Sequence, residues 1–161
     1  MGNIQIVIIA VQLVLLFSVT KANAQLYKAK VVKIKDGDTY EVLINDKKTT
    51  IRLAEIDCPE LNQEFGKEAR NFAKKMILGS TIQIQIIKKE KYQRYLGYLI
   101  MPDSSILNEI MVRKGYAWCY SKYSRHFKYK QLEEKSKLDK IGIWQTKNPV
   151  APWIWRKNHK K

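Results

Sequence analysis

Four acidic residues stand in two tight groups. Asp36 and Asp38 flank Gly37, and Asp57 and Glu60 bracket Cys58 and Pro59. Carboxylate oxygens gathered at one place suit a hard divalent cation, with Ca²⁺ taking roughly 6–8 oxygen ligands, carbonyls and water included. Oxygen donors of this kind admit Mg²⁺ or Mn²⁺ as well. Taken alone, Asp36-Gly37-Asp38 reads first as an ordinary hairpin turn, because Asp and Gly favour turns for local reasons. Glu60 alone reads first as a solvated loop carboxylate.

Two arginines stand beside these acids. Arg52 lies inside the apolar run Ile51 to Ile56, where a guanidinium is costly unless it is paired or aimed into a site. A structural ion pair would explain it equally well. Arg94 closes the basic, aromatic loop Lys91-Tyr92-Gln93-Arg94-Tyr95, a pattern that suits phosphate contact and base stacking but also a solvated hairpin tip. Together the groups describe phosphodiester hydrolysis. A divalent ion neutralises the phosphate and orients water, a carboxylate takes the water's proton, and arginines stabilise charge on the phosphoryl oxygens. His126 and His159 are the two histidines and offer little for a serine or cysteine triad. No glycine-rich phosphate loop is present.

The elements that must position these residues are short. Runs at 29–34, 39–44 and 49–56 are β-branched and are separated by Asp36-Gly37-Asp38 and Asn45-Asp46-Lys47-Lys48, which predicts an antiparallel meander. Pro59 ends the third run. Ala69, Phe72, Ala73, Met76 and Ile77 recur at helical spacing ahead of Gly79, so a helix is expected there. Strands are predicted at 81–87 and 95–101, helices at 107–114 and 128–140, and a short aromatic strand at 116–120. The segment 149–155 is expected to be extended. The sum is a mainly β, α+β domain: a five-stranded OB-type barrel with three helices, a fold that binds oligonucleotides across one face.

Charge and targeting limit the partners. The 161 residues hold 30 Lys+Arg against 15 Asp+Glu, a net charge of +15, which favours a polyanionic partner. Residues 4–19 are strongly apolar and are followed by Ala22-Asn23-Ala24, the pattern of a cleaved signal peptide, with an uncleaved anchor as the alternative. Cleavage after Ala24 would remove only Lys21 and take the charge from +15 to +14. The expected organisation is a signal peptide at 1–24, one domain at 25–156 and a basic tail at 157–161. The mature protein would then be exported to the periplasm or medium, without stable membrane association, and a monomer by default. Two cysteines, Cys58 and Cys119, could form one disulfide in an exported protein or remain buried thiols.

Four segments give the chain a resemblance to the staphylococcal nuclease, or thermonuclease, family. They are Asp36-Gly37-Asp38-Thr39, the run Ile51 to Glu60, the run Lys91 to Gly97, and Leu107-Asn108-Glu109 through Gly115-Tyr116-Ala117. Gly142-Ile143-Trp144 and Pro152-Trp153-Ile154-Trp155-Arg156 resemble the family's bacterial members. The resemblance implies Ca²⁺-dependent cleavage of DNA and RNA. It implies Asp38, Asp57 and the Cys58 carbonyl as Ca²⁺ ligands, Glu60 as general base, and Arg52 and Arg94 as phosphate clamps. Lys91, Tyr92 and Tyr123 would contact the nucleotide, and Asp36 would support the ligands from behind. Cys58 stands where the founding member has Thr, which a carbonyl ligand tolerates. The rival readings are a nuclease-like module that binds nucleic acid without cutting it, and a polyanion-binding surface protein. The second leaves Arg52 and the Asp57/Glu60 pair unexplained.

Overall fold

Strand β1 (Leu26–Ile34) buries Ala29 and Val31 and turns Lys28, Lys30 and Lys33 to solvent. This is the alternation of a strand with one packed face. The computed structural model describes residues 25–90, 94–120 and 127–159. Strand β2 (Thr39–Ile44) pairs antiparallel with β1, with a register shift between Val31 and Lys33. Strand β3 (Lys47–Leu53) pairs antiparallel with β2 and sets Thr39 opposite Arg52. The Asn45-Asp46 turn between them takes φ of 48° and 61°, the left-handed geometry of a tight hairpin. The predicted meander is therefore present.

The third run does not continue to Ile56 as one strand. Ala54 and Glu55 form a turn, with Glu55 at φ 65°, and the two-residue strand β4 (Ile56–Asp57) follows in a new direction. Helix α1 (Gly66–Ile77) comes next, then β5 (Thr81–Lys89) and β6 (Arg94–Ile100). The strands close in the order β1-β2-β3-β6-β5. The β3–β6 contact is parallel; the other four are antiparallel. This is the expected OB-type barrel. Helix α2 (Leu107–Arg113), strand β7 (Trp118–Cys119), helix α3 (Phe127–Leu138), a 3-10 turn (Gly142–Gln145) and helix α4 (Pro152–Asn158) complete the described elements.

There are thus four α-helices among the described residues, not three. The additional one is α4, where an extended segment was expected. Pro152 opens it, at the position where a missing N–H costs nothing and the fixed φ suits a helix.

Tyr40, Val42, Ile51, Leu53, Ile84 and Leu99 fill the barrel and are fully buried, each aliphatic contributing roughly 1.5–3 kcal/mol. Helix α1 adds Ala69, Ala73 and Ile77, and α2 adds Leu107 and Met111. Asn108 is a fully buried polar member of this interior. Its side chain accepts from the Leu99 N–H and donates to the Ala54 and Gly97 carbonyls. It thereby holds the turn that redirects the chain into β4. A second cluster of Trp118, Ile143 and Ala151, packed by Phe65, Trp144 and Trp153, anchors the segment ahead of α4.

Candidate catalytic and cation site

The turn between β1 and β2 is built to present Asp38 inward. The Asp36 carboxylate accepts the Asp38 N–H at 3.0 Å, a local side-chain turn, and the Lys35 N–H donates to the Thr39 carbonyl. Gly37 sits at the apex for want of space. A Cβ there would lie 2.7 Å from Cys58 Cβ and 3.0 Å from Ala69 Cβ. The absent side chain lets β4 and α1 close over the turn. Asp38 is consequently buried, and each oxygen is used. Oδ1 accepts from Arg52 Nη1 at 2.7 Å and from the Thr39 hydroxyl at 3.0 Å, and Oδ2 accepts the Cys58 N–H at 2.9 Å.

Asp57, also buried, is held by two arginines. Arg52 Nη2 donates to Oδ1 at 2.6 Å, so one guanidinium links Asp38 to Asp57. Arg156, from α4, places Nη2 on Asp57 Oδ2 at 2.7 Å and Nη1 on Oδ1 at 3.2 Å. The same Nη1 reaches Glu60 Oε1 at 2.7 Å. Gln63 fixes the Glu60 backbone from both sides. Its side-chain oxygen accepts the Glu60 N–H, and its own N–H donates to the Glu60 carbonyl.

Burial pushes the Asp38 carboxyl up, to about 7, against the pull of Arg52; Asp36 pushes the same way as burial. Burial lowers the affinity of Arg52 for its proton, but Asp38 and Asp57 more than restore it, and the group is firmly cationic. Arg156 is held charged by its hydrogen bond to Asp57 and then by Glu60. Burial, reinforced by Asp38, raises Cys58 well above an ordinary thiol.

By chemistry these donors are of the kind a hard cation takes, but the side chains are not gathered around one. Among the described residues no three His, Cys, Asp or Glu side chains converge as a ligand set. The expected set is two carboxylates and a backbone carbonyl, and here guanidiniums stand between the carboxylates. Asp38, Asp57 and Glu60 pair with two guanidiniums, and Asp36, bonded to the Asp38 N–H, adds a fourth carboxylate beside them. With all ionised, the formal shortfall is two positive charges, that of one divalent ion. All the donors are oxygens, as Ca²⁺ requires.

Asp36, Asp38, Arg52, Asp57, Cys58 and Glu60 are thus brought together. Arg94 is not in the cluster: its Nε pairs with Glu90 Oε2 at 2.6 Å. It nevertheless pairs in register with Thr50, which puts it on the same sheet face as Arg52, two residues further along β3. Lys91, Tyr92 and Tyr123, expected to contact nucleotide, lie outside the described residues. Cys58 and Cys119 are buried thiols. The β4–β7 register sets Cys119 opposite Ile56 and not Cys58. Two site residues were not singled out in the sequence: Arg156 and Gln63. The Pro152-to-Arg156 motif carried the signal for the first.

Residues 50–146 match the model of the family described as staphylococcal nuclease homologue. An uncharacterized endonuclease of Escherichia coli is 37% identical over 132 residues, covering 82% of this chain and 85% of its own. Another, from Haemophilus influenzae, is 35% identical over 155 residues, covering 95% and 86%. A micrococcal nuclease of Shigella flexneri is 33% identical over 144 residues, covering 83% of each chain. The family model and these relatives define a nuclease class, and the closed OB-type barrel agrees with it. This chain belongs to the staphylococcal nuclease family.

Proposed function

We propose that this protein is an exported, calcium-dependent nuclease that hydrolyses phosphodiester bonds of DNA and RNA. The observation that carries this reading is the Arg52 guanidinium joining Asp38 to Asp57, beside Glu60. It is a phosphate-binding group set against a cation-binding pair and a base. Family membership supports the nuclease activity.

Asp38, Asp57 and the Cys58 carbonyl would hold Ca²⁺. The ion, when bound, would neutralise the scissile phosphate and lower the barrier to attack by water. Glu60 accepts the proton of that water as its oxygen bonds to phosphorus and the P–O bond to the leaving nucleotide breaks. Arg52 donates to the phosphoryl oxygens, where charge builds as bonding changes. Arg94 is half-exposed on the same face and supplies the second clamp after exchanging Glu90 for phosphate. The positive charge draws the polyanion from a distance. Export rests on the apolar stretch at 4–19 and the Ala22-Asn23-Ala24 pattern; a mature N-terminus at Gln25, read by mass spectrometry, tests it.

The deciding experiment incubates the mature protein with single-stranded DNA in Ca²⁺ or in EGTA. Cleavage in Ca²⁺ alone is expected. Cleavage that persists in EGTA would overturn the cation dependence. DNA retained without cleavage in Ca²⁺ would indicate a binding module instead.

A further inference from the structure

Arg156 lies 96 positions from Glu60 and 99 from Asp57 in sequence, yet it touches both carboxylates. Its fork takes both oxygens of Asp57, which is 1% exposed, and the remaining donor capacity of Nη1 goes to Glu60. Gln63 has already fixed the Glu60 backbone on both its N–H and C=O. What stays undetermined there is the rotamer of a three-torsion side chain with 36% of its surface exposed. Arg156 selects that rotamer. A planar guanidinium suits the task because its donors diverge in a fixed plane and can bridge two carboxylates at once.

The contact is more than a fastening for the helix. Helix α4 is already tethered at its start, where the Gln63 amide donates to the Val150 carbonyl at 2.6 Å and Ala151 and Trp153 join the Trp118 cluster. Within α4 itself only Pro152 is buried. The arginine therefore emerges from an anchored turn and is aimed at the acids.

We propose that Arg156 is a positioning residue that fixes the Glu60 carboxylate relative to Asp57 for proton abstraction. This rests on the reading of Glu60 as the base. It also yields a signature that general disruption would not give. Removing Arg156 takes a positive charge away from the ligand Asp57, so cation binding should strengthen while turnover falls.

The test compares full mature wild-type protein with Arg156→Met and Arg156→Lys, using single-stranded DNA and calcium chloride. For Arg156→Met, kcat should fall about tenfold to a hundredfold, the scale of a misplaced catalytic group. KM for DNA should stay within about threefold, and Ca²⁺ affinity by calorimetry should rise about threefold or more, as expected when a like charge near the ion is removed. Arg156→Lys should recover part of kcat, since one ammonium can reach one carboxylate but cannot fork. Wild-type kcat in folded Arg156→Met would overturn the proposal. So would a kcat loss accompanied by weaker Ca²⁺ binding. If Arg156→Met does not fold, Arg156→Lys decides alone: reduced kcat at unchanged KM supports the role, and full kcat overturns it. Wild-type protein that never cleaves DNA would bring down the proposed activity and this role with it. Wild-type cleavage beside an unaffected Arg156→Met would remove only the role of Arg156.

Discussion

Gly66 packs directly against the carbonyl of Glu60. A Cβ at position 66 would stand 1.8 Å from that oxygen and 2.6 Å from its carbon. The first residue of α1 is therefore the floor on which the Glu60 loop rests. Gly66→Ala cannot be absorbed by a side-chain rotation, because the obstacle is backbone. Forced repacking of this kind costs roughly 1–3 kcal/mol, and the loop carrying Glu60 must shift. A lower thermal midpoint together with reduced kcat is expected. A variant with wild-type values of both would show that the loop is not seated as described.

Glu60→Gln keeps the size of the side chain and removes its basicity. Its contact with Arg156 survives through the amide oxygen, so the fold and DNA affinity should persist. Turnover should fall by about 10²–10⁴-fold, the usual contribution of a positioned general base. Parallel measurement of kcat and of DNA binding by anisotropy checks this. Full activity would exclude Glu60 as the base.

The buried Asp38 gives a pH dependence with a definite sign. Its carboxyl is raised to about 7 from the ordinary 3.8. Between those values the folded chain holds a proton that the unfolded chain has lost. Stability from this group is full below about pH 4 and declines as pH rises toward 7. Denaturation of the EGTA-treated protein by urea, repeated across that range, should show this decline at Asp38 and its removal in Asp38→Asn. Added Ca²⁺ should oppose the decline at pH 7 by stabilising the ionised form.

Much of the barrel was legible because its signals are local. The alternation in β1, the Asn45-Asp46 hairpin and the helical recurrence of Ala69, Ala73 and Ile77 each declare an element within a dozen residues. The acids were legible as a cluster because both groups stand at strand ends, where a barrel can bring loops together. Three features were not. The break after Leu53 depends on Glu55 holding φ 65°, in a turn held through the Ala54 carbonyl by Asn108 of α2 and unmarked by glycine. Helix α4 was hidden by two prolines and a run of aromatics, whose strand preference outweighed the helix-start meaning of Pro152. Arg156 was invisible as a partner of Glu60 because no local pattern records a contact across 96 positions.

That separation has a temporal side. Ribosomes add roughly 5–20 residues per second. Glu60 and the barrel strands are therefore made several seconds before the helix that bears Arg156. Until Arg156 is made, Asp57 and Glu60 lack the guanidinium that ties them together. The Arg156 contacts around Glu60 therefore cannot exist until nearly all of the described chain has been made. They close only after the barrel that will carry them has been synthesised.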